Sequence, residues 1–389
     1  MPAEGDENYL TTAEVARRLQ VKPATIYAYV SRGLLTSVRA RGRRGSLFAA
    51  DEVERLAARS VEHSGVIERI QSELTLLEDD QLYYRGQPAQ TLATTATLPQ
   101  VATLLWTGTL PSSIEAGLFG VGREGVELAR AAMGVVPEGA RLTDRLRVAV
   151  AVLGAADPLR FDLSPASVTA AAGRLIGTLV TALPGRTVYG EATLGARLWP
   201  KFSDDEPRPE ILDAALILLA DHGLAVSTVA ARVAASARAN LYAVISAGLG
   251  ALDGQYHGAA PTLAYEFLER ARHNPLKALS DQLRSGEPVP GFGHKIYQHH
   301  DPRADVLLDL LGDHPIIDTV RAIAERTPAF PNSDLAIAAI MHAYNFRPDA
   351  GDALFALARM IGWTAHALEE YASPPLRFRP LGIYTGQPT

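Results

Sequence analysis

The 389-residue chain contains no cysteine, which excludes disulfides, thiolate metal sites and a thiol nucleophile. It also lacks any run approaching the roughly 18 apolar residues that span a bilayer. The most apolar region, 211–220, is closed off by Asp221 and His222. The leading segment Met1-Pro2-Ala3-Glu4-Gly5-Asp6 is acidic and polar, unlike a secretory signal, so a cytoplasmic location and no membrane partner are expected. There is no strict internal repeat, no P-loop and no metal site to read. Gly248-Leu249-Gly250 follows a helical run, which is too weak a pattern for a dinucleotide site. Strand–helix alternation is missing as well, which argues against a parallel α/β sheet. What is present is an ordinary globular balance, 47% hydrophobic and 21% charged, in a chain long enough for two or three domains.

Charge is unevenly placed. From Tyr9 to Ala50 the chain carries Arg17, Arg18, Lys22, Arg32, Arg39, Arg41, Arg43 and Arg44 against Glu14 alone. That block holds +7 of a chain whose net is −6, leaving −13 elsewhere. A basic block on an acidic body points to a separate module with an anionic partner. Thr11 or Thr12 can cap a helix that turns Val15, Ala16 and Leu19 to one face. Pro23 then suits the first turn of a second helix, about 24–31, with Ile26 and Val30 inward and Thr25, Tyr27 and Tyr29 outward. Residues 39–48 read as a basic hairpin or wing, and Asp51 as the cap of a third helix through Val53 and Leu56. Two short helices, a turn and a wing suit the major groove and phosphates of duplex DNA. Residues 1–60 resemble the helix-turn-helix of the MerR and excisionase families, in which a step like Gly33-Leu34-Leu35 follows the recognition helix. Such modules also serve as docking elements, in which case the arginines are merely solvated.

From Val66 onward, Ala- and Leu-rich segments with helical spacing dominate, at 92–106, 142–153, 165–182, 209–221 and 226–251. Gly and Pro breaks separate them. The expected fold class is therefore all-α, a multi-helix globule behind a small winged helix-turn-helix domain. In the C-terminal third, polar residues gather on Gly- and Pro-shaped turns: Tyr256-His257-Gly258, Pro290-Gly291-Phe292-Gly293-His294, Asp301-Pro302-Arg303 and Pro331-Asn332-Ser333-Asp334. Arg359 lies in an apolar helix and Arg379-Pro380 near the end. On such turns side chains converge and backbone amides are free. Each residue also has a plainer reading. Asp334 can simply cap the helix near Leu335, Arg359 can sit in a buried ion pair, and Arg303 can brace its own turn.

From about Ser72 to Gly386 the chain resembles the citrate synthase family. The elements that carry the likeness are Tyr84-Arg85-Gly86, Ala220-Asp221-His222 with Ser227-Thr228, and Gly293-His294…Tyr297…Asp301-Pro302-Arg303. The resemblance implies a citrate-synthase-like fold with a large domain, 66–258 and 341–389, and a small domain, 259–340. It implies condensation of acetyl-CoA with oxaloacetate, acetyl-CoA being a substrate and no cofactor permanently bound. By similarity Asp334 is the base, His257 serves the thioester oxygen, and His294 polarises the oxaloacetate carbonyl. His222, Arg303, Arg359 and Arg379 would bind oxaloacetate, as the planar fork of arginine suits carboxylates. Pro290, Gly291, Phe292 and Gly293 resemble the loop that cradles CoA. In the family the arginine at the Arg379 position reaches across from a partner subunit, which implies a homodimer.

The pattern departs from the family in three places. His257 is followed by Gly258-Ala259-Ala260-Pro261 where Gly-Gly-Ala-Asn is usual, His222 by Gly223-Leu224-Ala225, and Arg379-Pro380 by Leu381. Proline at 261 supplies neither an amide side chain nor a backbone donor. These changes leave two further readings in view. One is a 2-methylcitrate synthase using propionyl-CoA; the other is a DNA-binding regulator that senses a metabolite through a degenerate synthase body.

Overall fold

In the computed structural model the described residues are 9–19, 23–31, 34–39, 45–53, 70–113, 117–188, 192–254 and 260–378. The chain divides into two compact units, Met1–Gln71 with Arg377–Thr389, and Ser72–Leu376.

The first unit is a small winged module. Strand β1 (Tyr9–Thr11) leads into α1 (Thr12–Arg18), followed by α2 (Pro23–Ser31), β2 (Ser37–Arg39) and β3 (Ser46–Ala49). Thr11 caps α1 in a reciprocal box: the Glu14 amide donates to Thr11 Oγ1, and the Thr11 amide donates to Glu14 Oε2 at 2.7 Å. Such caps contribute about 1 kcal/mol. The strands form an antiparallel sheet in the order β1-β3-β2, with Leu10 opposite Phe48 and Val38 opposite Leu47. Val15, Ala16, Leu19, Ile26, Leu35, Phe48 and Val53 make its core. Tyr27 is exposed as expected, but Tyr29 packs partly against that core rather than pointing outward. A helical turn begins at residue 50, one residue before the expected Asp51 cap. The tip of the wing, 40–44, and Leu56 lie outside the described residues.

The second unit is predominantly helical with one small sheet. The hairpins β4 (Thr75–Glu78), β5 (Gln81–Tyr84) and β6 (Gln87–Pro88) precede α3 (Ala89–Thr95), α4 (Leu98–Thr107), α5 (Arg123–Gly134) and α6 (Leu142–Ala156). Next come α7 (Pro165–Ala182), α8 (Leu194–Phe202), α9 (Pro209–Leu218), α10 (Val226–Ser236) and α11 (Leu241–Leu252). The chain continues through α12 (Ala260–Ala271), α13 (Pro275–Ser285), α14 (Pro302–Asp309), α15 (Pro315–Ala324), α16 (Ser333–Ala343) and α17 (Ala350–Ala372). The three-stranded sheet was not anticipated. Its turns, Asp79-Asp80 and Arg85-Gly86, all have positive φ, as tight two-residue hairpins require.

Two expected helices are each two. The 92–106 segment breaks at Ala96 in extended conformation, and Thr97 starts α4 in a capping box with Gln100. The 226–251 segment breaks at Arg238 (φ 59°), and the Asn240 side chain accepts from the Ala243 amide at 3.1 Å to start α11. Pro261 is no obstacle. It falls in the first turn of α12, where a missing N–H costs nothing.

Helix α17 is the spine of this unit, buried along nearly its whole length. It comes unusually near the end of α9. A Cβ on Gly362 would lie 2.4 Å from the Ala220 carbonyl and 2.6 Å from Asp221 Oδ1, so only glycine allows this approach. The Gly362 amide donates to Ala220 O at 3.1 Å. This contact brings Arg359, one turn earlier on α17, beside Asp221 and His222.

Candidate active site

Helix α9 ends at Leu218, so Asp221 and His222 stand on the turn that follows it. Tyr84 of β5 seats that turn. Its hydroxyl lies 3.0 Å from both Ile217 O and Leu218 O and 3.1 Å from Asp221 O. His222 is buried, and its Nε2 is 2.9 Å from the Tyr297 hydroxyl. The His222 and His294 rings meet edge to face with centroids 5.2 Å apart. Burial, then the charges of Arg303 and Arg359, push His222 well below the usual histidine range. It is therefore neutral at pH 7.

His294 sits in the loop between α13 and α14. The Ile296 and Tyr297 amides both donate to its Nδ1, at 3.0 and 3.3 Å. A nitrogen that accepts from backbone carries no proton, so the ring hydrogen is on Nε2. Burial, seconded by Arg303, lowers His294 to about 4, which keeps it a neutral Nε2–H donor at physiological pH. The Asp80 carboxylate, on the β4–β5 turn, accepts from the Gln298 and His299 amides at 2.6 and 2.8 Å. That clamp holds the loop in place.

Arg303 and Asp301 form a buried fork-to-fork pair, Nε to Oδ1 at 2.9 Å and Nη2 to Oδ2 at 2.7 Å. Arg303 thus braces its own turn, as its plainer reading supposed. Its Nη1 is not part of that fork. Burial opposes its charge, but Asp301 outweighs that and holds the Arg303 pKa above the usual value. Asp301 Oδ2 also accepts from the Ser333 amide at 2.9 Å, which ties the arginine to the start of α16.

Asp334 is not the cap of α16. Asn332 is: its Oδ1 accepts from the Asp334 amide at 3.0 Å and the Leu335 amide at 3.3 Å. The Asp334 carboxylate is left without a hydrogen-bond partner among the described residues. Burial raises its pKa to about 6, against the pull of Arg303. The 289–293 loop is laced to the same helix start. The Asn332 amide donates to Gly291 O at 2.9 Å, the Gly293 amide to Phe330 O at 2.7 Å, and Asn332 Nδ2 to Gly293 O at 2.8 Å. Gly291 has φ 80°, and a Cβ there would lie 2.7 Å from Leu335 Cβ.

Arg359 is buried, with only 2% of its surface exposed. Its Nε and Nη1 have no hydrogen-bond partner among the described residues, so it is not a satisfied ion-pair member. Its guanidinium stacks 4.7 Å over Phe355. Burial lowers its pKa, and Asp221 is the leading group that opposes this. An unpaired buried guanidinium is costly, and two convergent cations beside neutral histidines and a free carboxylate suit a small dianion.

His222, His294, Arg303, Asp334 and Arg359 are thus in one electrostatic neighbourhood. His257 and Arg379 lie outside the described residues. The sequence pattern assigns no supporting role to Tyr297, Asp301, Asn332 or Asp80. Tyr297 and Asp301 stand inside the same motif as His294 and Arg303 and could have been read there. Asp80, about 200 residues distant in sequence, offers no such signal.

Residues 65–381 match the C-terminal domain of citrate synthase, and residues 9–60 match a helix-turn-helix domain. The chain belongs to the citrate synthase family. It is therefore an enzyme of an acyltransferase family that also carries an N-terminal helix-turn-helix domain. It is 30% identical over 346 residues to the citrate synthase of Mycolicibacterium smegmatis, spanning 80% of this chain and 90% of that one. It is 29% identical to the 2-methylcitrate synthase of Mycobacterium tuberculosis H37Rv, spanning 79% and 86%. The crystal structure of citrate synthase from Thermotoga maritima MSB8 matches with a TM-score of 0.68 at 26% identity, covering 82% of this chain and 94% of that one. No helix among the described residues is long and apolar enough to cross a membrane.

Proposed function

We propose that this member of the citrate synthase family condenses acetyl-CoA with oxaloacetate to give citrate and CoA. The observation that carries the proposal is the Arg359 guanidinium, buried with two N–H-bearing nitrogens unpartnered among the described residues, as the receptor of a carboxylate would be. Nη1 of Arg303 supports the same dianion, with His222 and Arg379 as further contacts.

In this reading Asp334 removes a proton from the thioester methyl group, and the enol carbon attacks the oxaloacetate carbonyl carbon. His294 Nε2–H polarises that carbonyl and stabilises the alkoxide as it forms. His257 serves the thioester oxygen. Water then hydrolyses the citryl thioester and CoA leaves. The loop Pro290-Gly291-Phe292-Gly293 lies against the Asp334 helix and is assigned to CoA. The site residues divide between a large domain, 66–258 and 341–389, and a small one, 259–340. Supporting that division, α12 packs on α13 and α16, and α14 and α15 both pack on α16.

Thiol release from acetyl-CoA with oxaloacetate tests the proposal. Activity in the native chain that disappears in Asp334→Ala is expected, and no release with any acyl-CoA would sink it. Relatives of both names, citrate synthase and 2-methylcitrate synthase, leave propionyl-CoA as the second donor to compare under identical conditions. One additional methyl is worth only about 1–3 kcal/mol of discrimination.

The helix-turn-helix domain is assigned to double-stranded DNA, with α2 and exposed Tyr27 toward the major groove. A homodimer presenting two such modules in the cytoplasm completes the reading. Retardation of duplex DNA at low salt, lost as salt rises, is the expected result. Absence of retardation would leave the module as a docking element.

A further inference from the structure

Behind the substrate arginine runs a chain of buried polar and charged side chains that the reaction does not use. Asp221, His366, Arg232 and Glu370 are each 0% exposed. His366 Nε2 is 3.1 Å from Asp221 Oδ1, and its Nδ1 is 2.6 Å from Arg232 Nη1. Arg232 in turn reaches Glu370 Oε1 and Glu369 Oε2, both at 2.6 Å. A guanidinium can only donate, so His366 Nδ1 accepts from Arg232 and the ring proton on Nε2 goes to Asp221. Asp221 is completed by the Thr75 hydroxyl at 2.5 Å and the Gly223 amide at 2.9 Å.

Asp221 touches the site in two ways. It precedes His222, and its Oδ1 lies 2.6 Å from where a Cβ on Gly362 would stand, one turn along α17 from Arg359, whose positive charge it favours. Its oxygens accept from His366, Thr75 and Gly223, whereas Nε and Nη1 of Arg359 have no hydrogen-bond partner among the described residues. The chain continues outward from Arg232 to Glu369, whose Oε1 accepts from the Ser72 hydroxyl at 3.3 Å and the Glu73 amide at 2.9 Å. A buried carboxylate held by three fixed donors acts as a stationary counter-charge.

Resting on the proposed reaction, we propose that His366 is a positioning residue for the oxaloacetate receptor. Through its Nε2–H it orients Asp221, and so fixes both the counter-charge near Arg359 and the placement of His222. It touches neither substrate nor the reacting atoms.

The test compares the full-length native enzyme with His366→Leu, His366→Gln and Thr75→Val. Each is assayed for the two KM values, kcat, calorimetric oxaloacetate binding and Tm. Leucine removes the donor to Asp221, whereas glutamine can place an amide N–H near the position of Nε2. His366→Leu is expected to raise the oxaloacetate KM about tenfold or more, as befits loss of a hydrogen bond to a buried charge. Its acyl-CoA KM and its kcat at saturating oxaloacetate should change little. His366→Gln should restore most of the affinity. Thr75→Val, which removes another Asp221 donor from outside the helix core, should move the same KM in the same direction. An unchanged oxaloacetate KM in His366→Leu, or equal rises for both substrates, overturns the proposal. Should His366→Leu fail to fold, an unchanged oxaloacetate KM in Thr75→Val overturns it, and a raised one supports it. Native enzyme that neither binds oxaloacetate nor releases CoA would instead defeat the reaction reading, and this proposal with it.

Discussion

Replacing Arg359 with methionine separates stability from function. The native guanidinium is buried, with Nε and Nη1 unpartnered among the described residues, and each unsatisfied group costs about 1–3 kcal/mol. Methionine has similar reach, fills irregular space and carries nothing to desolvate. Asp221 would lose a neighbouring positive charge but keep His366, Thr75 and Gly223, which offsets part of the gain. A net stabilisation of about 1–3 kcal/mol is therefore expected without ligand. In a domain of this size that is a rise of a few degrees in Tm. Oxaloacetate should reverse the order. At 1,000 times its Kd a ligand adds about 4.1 kcal/mol to the protein that binds it, and Arg359→Met should gain nothing. Calorimetric melting of both proteins, with and without oxaloacetate, reads all four states. If Arg359→Met melts below the native chain without ligand, Arg359 is a structural cation and the receptor argument fails.

Because burial holds Asp334 near 6, its base form is lost as pH falls through about 6, and kcat/KM for the free enzyme should fall with it. The same raised pKa makes the folded state bind more protons than the unfolded between the usual aspartate value and 6. Stability should accordingly decline as pH rises through that window, and Asp334→Asn should flatten the slope. Gly291→Ala meets both a positive φ and Leu335, and should cost about 1–3 kcal/mol in a denaturant melt. It should also lower kcat by displacing the start of α16. Tyr297→Phe removes the hydroxyl 2.9 Å from His222. A severalfold rise in oxaloacetate KM is expected, with a stability loss of about 1 kcal/mol; an unchanged KM would remove Tyr297 from the site's support.

Much of the secondary structure was readable because its signals are local. Pro165–Ala182 is helical with the bounds expected of it, and Thr11 with Glu14 caps α1 as their spacing allows. The breaks at 96–97 and 237–240 were harder, since the apolar pattern continues across them. Only a Thr-to-Gln box and one asparagine mark the new starts. The β4–β6 hairpins escaped notice because the strands are very short.

Residue type and order by themselves determined a mainly helical enzyme body behind a basic helix-turn-helix module. They also marked the histidines, aspartate and arginines worth following. Tertiary structure decided what those residues can do. Asn332 takes the capping duty and leaves the Asp334 carboxylate without a hydrogen-bond partner among the described residues. Two backbone amides place the His294 proton on Nε2, and Asp301 occupies two donors of Arg303. The approach of α17 at Gly362 sets Arg359 beside Asp221. These outcomes depend on burial and on partners as far apart as Asp80 and Gln298, or Asp221 and His366. Helical periodicity and capping act over a few residues, whereas desolvation and hydrogen-bond partnership exist only once distant segments have packed.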